Sequence, residues 1–173
     1  MYSQSAKSSI SRAISIAAAL VALLCFFLPW VEVGAGFLKA NLSGYQLATG
    51  SGPAGASIPS WTSLLLVPAS MLAVVALAGV SMLVNKSDGQ ASRAISMLLI
   101  AAGGVSAAAI AYLYFDLNAE FNKTVFGVLA QNLVAYTFGG GATLLGSLVI
   151  VAGGVFDLLS TGGKQRSMAA GNF

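Results

Sequence analysis

Few side chains in this sequence could carry chemistry. There are five carboxylates, Glu32, Asp88, Asp116, Glu120 and Asp157, a single thiol at Cys25, and no histidine. A haem in a helical bundle, a zinc centre and a di-iron centre draw on imidazole or clustered thiolate ligands, so each lacks its minimum parts. Cys25 has no second thiol with which to exchange a disulfide, and its apolar surroundings make it a small buried hydrophobe. Asp116 and Glu120 are the carboxylates an intramembrane enzyme could use, yet both fall in a connection, with no base, metal ligand or nucleophile beside them. The expectation is no enzyme: no catalytic residue, no metal ligand and no cofactor.

Asp157 is the one carboxylate inside a candidate membrane span. A charge at the centre of a bilayer is costly and marks ion or proton sites. Asp157 lies close to the inner end of its span, however, with Lys164 beyond it, where that cost falls steeply. It reads as a solvated helix terminus.

The elements that position these groups follow from composition. The chain is 57% hydrophobic and 8% charged, where a soluble domain carries about 25% charged residues. Four long apolar runs predict an all-α membrane protein: a four-transmembrane-helix bundle with a small extracellular β-hairpin in its first outer loop. Residues 1–173 form a single integral membrane domain, with spans about 10–30, 61–84, 94–115 and 136–159 and outer loops 31–60 and 116–135. The first run is longer than the apolar core of a signal peptide, about 7 to 15 residues, and is read as an uncleaved span. The basic residues are scattered among segment ends, which excludes nucleic acid as a partner. Lys7, Arg12, Lys86, Arg93, Lys164 and Arg166 fall on one side and only Lys39 and Lys123 on the other, which places both termini in the cytoplasm of a multi-pass cell-membrane protein.

The first outer loop is bracketed by Trp30 and Trp61, read as interface anchors whose rings sit at the membrane boundary. Val31-Glu32-Val33, a glycine turn, and Phe37 through Leu47 predict the hairpin, with Glu32 and Lys39 flanking its turn. Phe37 and Tyr45 are the candidate partner contacts, because the loop carries more apolar surface than a solvated linker exposes. Leu117, Phe121, Val125, Val128 and Leu129 recur at steps of three and four and predict a surface helix in the second loop. Tyr112, Tyr114 and Phe115 read as belt aromatics. Asn41-Leu42-Ser43 and Asn122-Lys123-Thr124 match the N-glycosylation acceptor, a pattern short enough to arise by chance.

Helix packing has its own signature. Without a hydrophobic drive between helices in lipid, small residues let backbones approach. Gly103, Ala107 and Ala111 form a ladder at steps of four, and Ala69, Ala73, Ala76 and Val80 a similar face on the second span, which Pro68 is expected to kink. In the fourth span Gly139, Gly146 and Gly153 recur every seven residues, with Gly140, Ser147 and Gly154 one position along, so both stripes are expected on one packing face.

This layout of four spans and inside termini, with a long first outer loop opening on Trp, resembles the claudin-like tetraspan architecture. Leu28-Pro29-Trp30 at the first exit, Ser43-Gly44-Tyr45 and the fourth-span glycines also resemble small bacterial four-span membrane proteins. The claudin loop has Gly-Leu-Trp and two cysteines, whereas this chain has Gly44-Tyr45-Gln46 and no loop cysteine, so only the layout carries over. The expected function is that of a non-catalytic accessory or structural subunit of a membrane complex, or a self-assembling tetraspan. Its expected partners are membrane lipids, other membrane subunits or copies of itself. The alternative is a transporter or channel component in which Asp157, Gln131 and Asn132 line a polar path near the fourth span.

The topology is open to a direct check. In a Cys25→Ala background carrying Ser51→Cys, Ser87→Cys or Ser167→Cys, an impermeant thiol reagent applied to intact cells should label position 51 alone. Labelling at 87 or 167 contradicts inside termini.

Overall fold

The computed structural model describes residues 3–35, 38–55, 57–83, 89–123 and 134–170. The elements run α1 (Ser3–Phe26), β1 (Pro29–Ala35), β2 (Leu38–Ser43), α2 (Gly44–Thr49), α3 (Leu66–Leu83), α4 (Gly89–Lys123), β3 (Val134–Tyr136) and α5 (Phe138–Ala170). Four stretches, Ser9–Phe26, Thr62–Met82, Ala91–Leu117 and Phe138–Ser160, are long and apolar enough to cross a membrane. The long helices close into a ring in which α1 packs on α3 and α5, and α4 likewise packs on α3 and α5. A three-stranded antiparallel sheet of order β2-β1-β3 covers one end.

All four helices bury residues at the same period. The inward seam is Arg12, Ser15, Ala19, Ala22 and Phe26 in α1, and Leu64, Val67, Met71, Val74, Ala78 and Ser81 in α3 with the 3-10 turn before it. In α4 it is Ser96, Leu99, Gly103, Ser106, Ile110, Leu113 and Leu117, and in α5 it is Gly140, Thr143, Ser147, Ile150, Gly154 and Asp157. Each seam alternates steps of three and four. That 3.5-residue repeat is shorter than the helical period of 3.6, so helices that keep such seams in contact must wrap gently left-handed.

The period also explains where the structure departs from expectation. The ladder of Gly103, Ala107 and Ala111 advances by uniform steps of four, which drift about 40° each around a helix of 3.6 residues per turn. Gly103 is accordingly buried against α5, Ala107 is half-buried and Ala111 is exposed. On α3 the face of Ala69, Ala73, Ala76 and Val80 points outward, with Val80 58% exposed. That helix is apolar on every side, so hydrophobicity alone does not choose its inner face; the bulkier Met71 and Val74 fill the space between helices instead. Pro68 stands in the first turn of α3, where its missing N–H costs no helical bond, so the kink expected in the outer third of the span has no cause there. The first span ends at Phe26 because β1 begins at Pro29. Asp116 to Lys123 continues α4 rather than starting a separate surface helix; residues 124–133, where the rest of that helix was expected, lie outside the described residues.

The glycine stripes of α5 face two different neighbours. A Cβ added to Gly146 would stand 3.0 Å from Ala22 Cβ, and one on Gly153 would stand 2.8 Å from Ser15 Oγ, so the 139/146/153 stripe meets α1 at its last two positions, while Gly139 meets Trp30 and the chain just after α1. A Cβ on Gly154 would stand 3.0 Å from the Ser96 carbonyl, and Ser147 Oγ meets Ser106 Oγ at 3.0 Å, so the 140/147/154 stripe meets α4. One position along a helix is a rotation of about 100°, enough to turn from one neighbour to the next.

Polarity in the bundle is inverted. Leu24, Leu72, Leu98, Phe115, Leu145 and Leu159 face outward, while Ser15, Ser96, Ser106, Thr143, Ser147, Arg12 and Asp157 are buried. A water-soluble bundle would expose the second group and bury the first; a bilayer reverses the preference. The hydroxyls are satisfied locally, with Ser15 donating to the Ser11 carbonyl, Thr143 to that of Gly139 and Ser147 to that of Thr143.

Gly146→Leu should wedge α5 away from α1 and lower thermal stability in detergent by about 1 to 3 kcal/mol. Leu148→Ala, on the outward face, should change it little. Equal melting temperatures for Gly146→Leu and the parent protein would remove the close-packing account.

Candidate functional site

Two places gather polar chemistry, one at each end of the bundle. The first centres on Asp157. It is 1% exposed and faces Arg12, 8% exposed, with Nη2 3.4 Å from Oδ2. Arg12 Nη2 also donates to Ser92 Oγ at 2.7 Å, and Nη1 reaches the Ser81 carbonyl at 3.5 Å. Ser96 Oγ lies 2.9 Å from Asp157 Oδ2 and 3.0 Å from the Ser92 carbonyl; its single hydrogen favours the charged acceptor. Ser11 Oγ donates to the Gly153 carbonyl. Every membrane-crossing helix thus contributes a group: Arg12 from α1, Ser81 from α3, Ser92 and Ser96 from α4, and Asp157 from α5.

This overturns the reading of Asp157 as a solvated terminus. Its carboxylate is drawn inward because Arg12, 145 residues away in sequence, lies at the same depth on the neighbouring helix. Of the three residues expected to line a polar path near the fourth span, Asp157 alone is among the described residues. Above the charged pair Met71, Val74, Leu99 and Ile150 pack into an apolar layer, while Gln131 and Asn132 lie outside the described residues.

The second place is the sheet end. Pro29 pairs with Ser43 and Val31 with Leu42, so Trp30 is an extra residue in β1. Such a bulge breaks the alternation of faces, and here it lets Trp30 and Val31 both turn inward. Trp30 was expected at the membrane boundary with its edge in water. It is instead 0% exposed, its Nε1 donates to the Cys25 carbonyl at 2.9 Å, and its indole is flanked by Gly44, Gly139 and Gly140. Added Cβ atoms at Gly44 and Gly139 would each stand 2.8 Å from its ring. Phe26 meets it edge-on, 5.7 Å between centroids.

From this seat the chain runs along β1 and β2 and into α2. Ser43 accepts from the Gln46 N–H, and the Gln46 side chain accepts from the Ser43 N–H, a reciprocal cap. Gly50 ends α2 with φ +74°, a left-handed conformation that favours glycine. Ile58 N–H then donates to the Gly50 carbonyl and Trp61 N–H to that of Leu47, which ties the Gly- and Pro-rich return to α2. Leu42 and Leu47 are buried against the chain's own helices. Tyr45 is left 48% exposed on α2 with its ring beside Phe27; Phe37 lies outside the described residues.

Between the sheet and the tip of α4 lies a groove of about 910 Å³. Val31 and Val33 of β1 and Ala40 and Leu42 of β2 turn one face of the sheet toward it. Ile58, Trp61 and Leu117 complete its apolar walls. Alternation along the strands sends Glu32 and Lys39 to the opposite face, where they pair at 2.5 Å. Asp116 is the one charged residue among the described residues of the lining, and its Oδ2 accepts from Trp61 Nε1 at 2.7 Å, a short charge-assisted bond.

The signals that locate these features differ in kind. Ser43-x-x-Gln46 is a capping box and announces α2 in sequence. The third strand, Val134–Tyr136, carries no comparable mark; it forms because Thr137 N–H donates to the Trp30 carbonyl and its hydroxyl to that of Pro29, which draws the chain beside β1. Among the described residues no group of three His, Cys, Asp or Glu side chains could hold a metal ion. No family model, curated protein or solved structure matches the chain.

Removing one member of a buried ion pair strands the other, a loss of about 3 to 5 kcal/mol, whereas replacing both by apolar residues is often tolerated. Asp157→Asn should therefore lower the melting temperature strongly, and Arg12→Met with Asp157→Leu should recover most of it. A single variant as stable as the parent would show the pair to be incidental.

Proposed function

We propose that this is a non-catalytic integral membrane protein, multi-pass with both termini cytoplasmic, that serves as an accessory or structural subunit of a membrane assembly. The observation that carries this reading is the engagement of its buried ionisable pair. Arg12 and Asp157 hold one another and three further groups across the four helices, which leaves them occupied in binding helices together. The inside placement of the termini rests on Lys7, Lys86, Arg93, Lys164 and Arg166 against Lys39 and Lys123, a bias that survives the removal of the buried Arg12 from the count.

The sheet-bearing end supports a presenting role. Tyr45, Tyr112, Tyr136 and Phe138 are exposed around it, and the groove opens there. Transport finds less support, because Asp157 is paired and the apolar layer of Met71, Val74, Leu99 and Ile150 separates it from the hydroxyls of Ser106 and Ser147.

Extraction in a mild neutral detergent followed by native mass measurement tests the reading. The expected result is one discrete assembly larger than the 17.4 kDa chain, composed of partner subunits or of copies of this chain, and no ion flux after reconstitution into liposomes. A monomer that carries flux would overturn it.

A further inference from the structure

We infer that the groove between the sheet and the tip of α4 binds a cationic amphiphile, a molecule with an apolar body and a protonated amine, and that the amine donates to Asp116. The inference rests on the non-catalytic membrane reading above and names what its open end would hold. At about 910 Å³ the groove falls within the roughly 300 to 1,000 Å³ of small-molecule sites. Val31, Val33, Leu42, Leu47, Ile58 and Leu117 make most of its wall apolar, which suits an apolar body.

The charge of the ligand follows from Asp116. It is half-buried in the wall of an apolar groove, where a carboxylate without a countercharge gives up part of its hydration. Trp61 satisfies Oδ2, and among the described residues Oδ1 accepts no hydrogen bond. Among the described residues no cation lines the groove: Lys39, the nearest in the sheet, is on the other face and held by Glu32. The carboxylate is thus oriented by the indole N–H and aimed into an apolar space with acceptor capacity to spare. A protonated amine supplies both the donor and the countercharge, and the half-buried Trp61 ring beside it offers a face to the same cation. An anionic amphiphile would meet like charge there, and a neutral alcohol would leave the carboxylate uncompensated.

Position favours a ligand that comes from the membrane. Asp116 marks the level at which the apolar stretch of α4 meets the covering sheet, so a chain entering from the bilayer would lie along the helices with its head at that level. Ser60, Thr62 and Ser63 line the same rim and make no side-chain hydrogen bond among the described residues, which leaves hydroxyls for a phosphate next to the amine. The ammonium could therefore come from an aminophospholipid or from a free alkylamine.

The test uses the full chain in a neutral maltoside detergent, with tryptophan emission and melting temperature as readouts. Dodecylamine should shift both saturably, and dodecanol and dodecyl sulfate should not at the same concentrations. Asp116→Asn keeps an oxygen for Trp61 and should weaken the amine response about tenfold or more, read as the shift from the variant's own unliganded melting temperature. Ile58→Phe, which narrows the groove and leaves Asp116 in place, should weaken it as well, so the result does not hang on one variant. Vesicle-derived nanodiscs with phosphatidylethanolamine in place of phosphatidylcholine separate the sources: competition with dodecylamine identifies the lipid headgroup, and its absence a free amphiphile. An equal response to dodecanol, or a response that survives both substitutions, overturns the site. Native mass is measured on the same samples, so a groove that fails with the assembly intact removes the ligand and leaves the subunit reading standing.

Discussion

A charge in an apolar medium must find its opposite, and in this protein that requirement sets the geometry of one whole end. Arg12 and Asp157 would each be costly alone at the depth they occupy. At 3.4 Å their contact is looser than an ideal charge-assisted bond, and the serines at 81, 92 and 96 complete the shell with a carbonyl and two hydroxyls. Because those groups come from every membrane-crossing helix, sliding any one helix along its axis would pull a partner out of reach. The pair therefore acts less as glue than as a register mark, a role in which buried ionic groups are well attested.

The opposite end is held by shape. Trp30, turned inward by the bulge in β1, occupies a space that exists only because Gly44, Gly139 and Gly140 have no side chains. Van der Waals contact over a large rigid ring replaces the polar shell of the other end. Between the two, the 3.5-residue seams of all four helices need no further specification. Once register is set at both ends, small residues on α5 let α1 and α4 come close, and the larger Met71 and Val74 keep α3 at its distance.

The spans, the hairpin and the seven-residue repeat of α5 were legible because each is local: a long apolar run, alternation about a glycine turn, a fixed period. What lay beyond reading was which distant groups would meet. Asp157 looks solvated until Arg12 is placed beside it, and Trp30 looks interfacial until three glycines from two other segments close around it. The inward face of α3 is ambiguous for a related reason, since an all-apolar helix carries no polar stripe to mark its outside. Of the groove, the apolar strand faces were readable, but Asp116 gained meaning only from the Trp61 N–H that orients it.

The link between Arg12 and Asp157 joins the first helix to the last, and this bears on time as well as space. The two residues are 145 positions apart, which at about 5 to 20 residues per second of synthesis is a delay of about 7 to 30 s. Throughout that interval α1 is already made and its arginine has no counter-ion on α5. A long cationic side chain near the end of a span can reach back to the headgroups while it waits. The nascent protein must then draw that guanidinium inward at the last step, so the arrival of α5 is the event that closes the bundle.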